Sequence, residues 1–168
     1  MPGFVTARAS PPVTEDSDRL GRGEGGVAMT RIFDAPPARV WQEWTTPEAF
    51  ADWFGAPGGH MPLSSVSMDV REGGAWRLTM FTDDERRRID WRGEYLEVVE
   101  PKRLVFTVTD QPDGDDRELL IVDLTDLGDG RTEMRFEQRG RLSDDEYKRA
   151  GSGWSGFFDR VAERLAEG

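Results

Sequence analysis

One histidine and no cysteine bound the chemistry open to these 168 residues. Without cysteine there is no disulfide, no thiolate metal site and no thiol nucleophile. With one histidine there is no multi-histidine metal centre. His60 lies in "GAPGGHMP". A lone imidazole titrates near neutrality, so it could act as a general base or as a polar hook at a pocket mouth. No partner stands beside it in sequence, and an exposed loop residue is the plainer reading. Asp69 and Arg71 are spaced i, i+2 on an extended segment and share a face. They could anchor a polar ligand group. Their phase is opposite to that of Met68 and Val70, which points them outward as an ion pair contributing ~0–1 kcal/mol. Asp90 and Glu94 are the carboxylates that could share acid–base work, but they alternate with Trp91 and Tyr95 and so face away from the apolar side.

Two further motifs dissolve on inspection. "DQPDGDD" crowds oxygen ligands as a calcium loop would, yet it lacks the Asp-x-Asp-x-Asp-Gly spacing and the closing glutamate. It reads as a solvated hairpin turn. Gly21, Gly23 and Gly26 fit G-x-G-x-x-G, but no strand precedes them and no helix follows, as a dinucleotide loop requires. There is no nucleophile elbow, phosphate loop or metal set. No catalytic residue, metal or cofactor is therefore assigned, and an enzyme is the less favoured class.

What remains is aromatic. Trp44, Trp53, Phe54, Trp76, Trp91, Tyr95, Phe106, Trp154 and Phe158 fall on the apolar phases of their segments. Leu78 and Met80 join them. Such a set either packs a core or lines a ligand cavity that is mostly apolar with few polar groups. As a cavity, its candidate lining is these eleven residues with His60 at the mouth.

The elements that must position them are legible. Residues 1–25, with "ASPPVTEDSD" and "GRGEGG", read as a flexible N-terminal tail, and 26–168 as one domain. A short strand near Phe4 and Val5 is an alternative within that tail. "VAMTRIF" is a strand. "DAPPARVWQEW" is a short helix with Asp34 near its cap and prolines in the first turn. A second helix follows in "TTPEAFADWFG", with Thr46 expected as cap and Gly55 as stop. Strands are expected at about 63–70, 74–81, 88–99, 103–110, 117–126 and 131–139, from period-2 alternation and turn residues between them. Gly73, Gly74 and Gly93 allow the sheet to bend. The chain ends in a helix from about residue 143 to 166. Ser143 and Glu146 form its capping box, and Trp154, Phe158, Val161 and Leu165 form one stripe. Trp76 on the sheet and Trp154 on this helix are expected to face each other. The class is α+β, a curved antiparallel sheet wrapped on the last helix, with two short helices after the first strand.

The net charge of −11 and a pI near 4.6 argue against a hold on phosphate backbones or anionic membrane surfaces. The run Arg86–Arg88 follows Asp83, Asp84 and Glu85 and is a neutralised turn, not a nucleic-acid patch. No apolar run approaches the ~20 residues that span a bilayer. No secretion signal is visible at the N-terminus, so a cytoplasmic location is expected.

"RIFDAPPARVWQEWTTPEAFADWFGAPGG", "MDVREGGAWRLTM", "WRGEYLEVVEPKRLVFTV", "GRTEMRF" and the "GW" of the last helix occur in an order that resembles the heat-shock protein 90 ATPase activator homologue domain. That domain belongs to the START-like (SRPBCC) helix-grip superfamily, with Bet v 1-like architecture and bacterial members. The resemblance spans about residues 27 to 167. It implies an apolar small molecule held between sheet and C-terminal helix, with Trp76, Leu78 and Met80 turned towards it. A hydrophobic or amphipathic small molecule is thus the expected partner. A chaperone is a second, implied by the family name; the eukaryotic activators carry an additional N-terminal domain where this chain has its tail. A cyclase- or hydrolase-type enzyme, as some helix-grip relatives are, is a third reading. It would need His60 and Tyr95 as its polar cavity residues.

Overall fold

Thr46 joins the first two helices and sets the angle between them. Its N–H donates to Gln42 O at 3.0 Å and ends α1 (Pro37–Thr45), while its carbonyl accepts from Phe50 N at 2.9 Å and starts α2 (Pro47–Trp53). The expected side-chain cap is not made: the Thr46 hydroxyl bonds no backbone N–H of α2. Proline in the first turn of each helix removes an N–H that would have had no partner. The shared junction brings Trp44 of α1 and Trp53 of α2 edge to face, centroids 4.8 Å apart.

The computed structural model describes residues 26–55, 59–82, 87–111 and 117–167. The tail before Gly26 lies outside them, as do the turn at Asp113 and Gly114 and most of the acidic end of the arginine run. Strand β1 (Gly26–Phe33) precedes the helices. After them come β2 (Gly59–His60), β3 (Ser67–Met68), β4 (Ala75–Thr82), β5 (Arg88–Val99), β6 (Arg103–Val108), β7 (Glu118–Asp126) and β8 (Thr132–Arg139). They form one antiparallel sheet in the order β1-β8-β7-β6-β5-β4-β2, with β3 also on β4. The strand expected at 63–70 is broken. Leu63–Ser65 is a 3-10 turn after Pro62. The Ser65 hydroxyl donates to Pro62 O at 2.7 Å and accepts from Thr79 N at 3.1 Å, so a side chain takes the place of a ladder bond.

Helix α3 (Asp144–Glu167) lies across the sheet, matching the expected span. Its capping box is formed: Ser143 N donates to Glu146 Oε1 at 2.9 Å and Glu146 N to Ser143 Oγ at 3.1 Å. Trp154, Phe158, Val161 and Leu165 are all buried. The opposite face of the sheet carries a small second apolar cluster of Val105, Leu119 and Ile121.

Strand β5 is where the sheet bends. Its register with β6 shifts between Tyr95 and Glu97, and Arg92 makes an isolated bridge to Thr109. Gly93 sits inside this bend. A Cβ there would collide with Thr107 O and with Trp76 Nε1. Its absence lets the Trp76 indole lie over β5 and donate to Thr107 O at 2.9 Å. Gly93→Ala should therefore break this bond and overpack the strand, costing about 1–3 kcal/mol or more once the buried indole N–H is orphaned. Denaturant melts of the two proteins measure it, and an unchanged midpoint would contradict the close packing at Gly93.

Candidate functional site

The space between sheet and α3 is filled with rings. Trp44 is the hub. Its ring lies 6.4 Å from Phe50, 6.1 Å from Phe106, 6.0 Å from Phe136, 6.2 Å from Trp154 and 5.9 Å from Phe158. Phe54, just past α2, lies 5.8 Å from Trp91, and Tyr95 lies 5.9 Å from Phe106. Leu78 and Met80 are buried in the same cluster. Among the candidate residues His60 is the exception. It sits on the short edge strand β2 opposite Phe81, and its side chain is exposed. The two-residue strand gives the segment no inner face to present, so His60 is not part of the interior. Between Trp76 and Trp154, expected to face each other across the interior, lies Phe54, which touches both, at 6.4 Å and 6.0 Å. The short helix α2 thus adds a layer that strand and helix periodicity alone does not reveal.

Three indoles of this interior are satisfied. Trp53 donates to Glu43 O at 2.8 Å, Trp76 to Thr107 O, and Trp154 to Gln138 Oε1 at 2.8 Å. Trp44 Nε1 and Tyr95 Oη are buried without a hydrogen-bond partner, although each residue is 1% exposed. Burial pushes the Tyr95 hydroxyl pKa far above its ordinary value, with Asp69 adding to the effect. The group is a proton donor and stays one.

Two polar clusters bracket the rings. At the start of α3, Glu118 is 1% exposed. Its Oε1 accepts from Gln138 Nε2 at 2.9 Å and from the Tyr147 hydroxyl at 3.0 Å, and its Oε2 accepts from Arg141 N at 3.3 Å. Gln138 carries the chain on to Trp154, and Leu142 N donates to Tyr147 Oη at 3.2 Å. A Cβ at Gly140 would overlap the Glu118 carboxyl, so only glycine leaves room there. Desolvation raises the Glu118 pKa to about 7, against the lowering effect of its three donors. At the other end, Glu43 is 3% exposed and receives Arg164 Nε at 2.7 Å. Asp52 takes Arg160 at 3.0 Å and also Arg164. Desolvation opposes ionisation of Asp52, but these two arginines hold its pKa below the ordinary value.

These groups escaped the sequence reading, yet their phase announces them. Glu118 is in step with Leu120, Val122 and Leu124, and Gln138 with Met134 and Phe136. Tyr147 lies seven residues before Trp154, two helical turns away on one face. Glu43 is three residues past Val40. A polar residue in an inward phase is the signal.

A family described as "Activator of Hsp90 ATPase homolog 1-like protein" matches residues 34–166. The chain belongs to that family. The matched span holds α1, α2, α3 and all of the sheet except β1. Solved structures share the helix-grip fold. A Chromobacterium violaceum protein superposes with a TM-score of 0.75 at 23% identity, covering 84% of this chain and 96% of its own. The AHSA1 protein of Silicibacter pomeroyi gives 0.73 at 21%, covering 84% and 98%. A Mycobacterium smegmatis protein gives 0.67 at 21%, covering 94% and 98%. No curated protein matches the chain. Among the described residues no group of three or more histidine, cysteine, aspartate or glutamate side chains could hold a metal, and no helix is long and apolar enough to cross a membrane.

The position of Glu118 in this family fold has a measurable consequence. Its folded pKa lies above the unfolded value of 4.5, so the folded state holds the extra proton between the two. Stability from this group is then greatest at low pH, falls as pH rises from about 4.5 to about 7, and is flat above. The total is on the order of 3 kcal/mol. Glu118→Gln should flatten that slope. Wild-type and variant melts at pH 5 and pH 8 read it: the stability difference between them should shift by that order in the variant's favour at pH 8. Parallel curves would show that Glu118 does not titrate in this range.

Proposed function

We propose that the chain binds a hydrophobic or amphipathic small molecule between sheet and α3, through an acceptor oxygen that engages Trp44 Nε1 and Tyr95 Oη. The observation that carries this reading is the pair of unpartnered buried donors, both on rings packed against Phe106. A buried donor without a partner costs about 1–3 kcal/mol, and a ligand acceptor would recover part of that. The helix-grip fold supports the reading, since proteins of this family's fold commonly hold hydrophobic ligands. A ligand would have to displace rings, because the rings occupy the space. Phe54, held at the end of a seven-residue helix, has the least regular structure behind it. The arrangement favours binding over hydrolase or cyclase chemistry. His60 is exposed and separate, and Tyr95, whose raised pKa keeps its proton, offers a ligand a donor and not a base. A chaperone partner rests on the family description alone.

Native mass spectrometry of freshly purified protein should show a co-purified small molecule, and Nile red, a neutral apolar probe with a carbonyl acceptor, should gain fluorescence on titration. Tyr95→Phe separates ligand site from solid core. In the free protein it removes an orphaned hydroxyl, so stability should hold or rise by up to about 1 kcal/mol. Probe affinity should drop roughly fivefold, the worth of one hydrogen bond. A protein that carries no small molecule, binds no probe and loses stability on this substitution has a packed core only.

A further inference from the structure

The outer face of β4 and β5 carries an arrangement that sheet stability alone disfavours. The register sets Arg77 directly opposite Arg92. Like charges at opposed positions repel, and both side chains point away from the rings. Arg88, on the same face, is engaged by Asp90 at 3.1 Å. Arg77 and Arg92 form no ion pair among the described residues. The Thr79 hydroxyl, with Arg88 after it, holds the Asp90 pKa below its ordinary value against desolvation, and Arg92 acts on Asp90 only through space. Two grooves meet at this arginine pair. One, of about 660 Å³, is lined by Ala75, Trp76, Gly93, Glu94, Leu96 and Arg117 besides the pair itself. The other, of about 410 Å³, adds Ser64, Ser65 and Arg88. The larger groove places this arginine pair beside a single lining carboxylate, Glu94, in a chain of net charge −11. The rest of its lining sets apolar Ala75, Gly93, Trp76 and Leu96, the last 47% exposed, beside Ser67 and Thr107.

We propose that this groove binds an amphipathic organic anion, its oxyanion head between Arg77 and Arg92 and its apolar chain over Ala75 and Leu96. Guanidinium groups suit the head because each offers a planar fork of donors to a carboxylate or phosphate. An anion between them would turn the repulsive pair into an attractive one. The volume fits a ligand of small-molecule size. The groove lies where β5 bends, beside the register shift after Tyr95, and Leu96 enters it in the outward phase of Glu94. Trp76 lines the groove while its ring touches Phe50 and Phe106, so its emission should report occupancy. The site is separate from the interior one and does not depend on it.

Decanoate, kept below its micelle concentration, is the probe, with decanol and inorganic phosphate as arms that carry only the tail or only the charge. Decanoate should bind and shift tryptophan emission, with both arms at least tenfold weaker. Arg77→Gln and Arg92→Gln should each weaken decanoate at least fivefold, and the double variant should abolish binding at the concentrations used. Leu96→Asn should weaken decanoate and leave phosphate unchanged. Neither arginine is buried or paired, so the double variant should melt no lower than wild type. Nile red binding to the interior should be the same in all of them, which separates this site from the one tested by Tyr95→Phe. No decanoate binding, or binding unchanged in the double variant, overturns the proposal. Phosphate binding as tightly as decanoate overturns its amphipathic part.

Discussion

The other elements close on Trp44. Its ring touches side chains from α2, β6, β8 and α3, all within 6.4 Å. Truncating a buried tryptophan in such a site typically costs 3–5 kcal/mol, a large share of the stability of a domain this size. The two short helices exist to deliver that ring. The turn at Thr46 is what lets Trp44 and Trp53 meet at 4.8 Å, while α3 reaches the sheet directly through Trp154, 4.4 Å from Phe136.

Hydrophobic contact alone does not fix where α3 lies, because a stripe of rings tolerates sliding. The polar clusters fix it. The chain Trp154–Gln138–Glu118–Tyr147 ties the first half of the helix to β7 and β8. Arg160 and Arg164 tie the last turns to α1 and α2 through Asp52 and Glu43. In between, Arg31 of β1 donates to Ser155 O at 3.0 Å and to Asp159 at 2.9 Å. These contacts differ in kind. The exposed Arg31–Asp159 pair is worth ~0–1 kcal/mol. Glu43 is nearly buried, and removing Arg164 would leave its charge uncompensated, which costs several kcal/mol. Register is thus set by a few directional bonds, while the rings supply the bulk of the attraction.

Much of this was legible in the residues. Period-2 alternation found the inward faces of β4 to β8, and the Ser143–Glu146 box with the Trp154–Leu165 stripe located α3. Those signals are local, and the structure keeps them because each local preference agrees with the fold. What was not legible depends on three dimensions. Phe54 comes between Trp76 and Trp154 because of how α2 packs, which no spacing records. The failed strand at 63–70 turns on one serine hydroxyl competing for a backbone bond. His60 is exposed, as the plainer of its two readings had it. Glu118 and Gln138 could have been found, since both sit in an inward phase; they were passed over because inward positions were searched for apolar residues.

The same glycine that lets the sheet bend also seats the Trp76 ring. Register sets Gly93 directly opposite Trp76, on the same inner face. With no side chain there, the Trp76 indole lies over the bare backbone of β5 and donates to Thr107 O on β6. Its ring is 2% exposed and belongs to the aromatic interior, against Phe50 and Phe106. One buried hydrogen bond, worth about 0.5–1.5 kcal/mol, thus links β4 to β6 across β5 at the place where the β5–β6 ladder slips register. The bend and the ring that fills it depend on the same missing side chain.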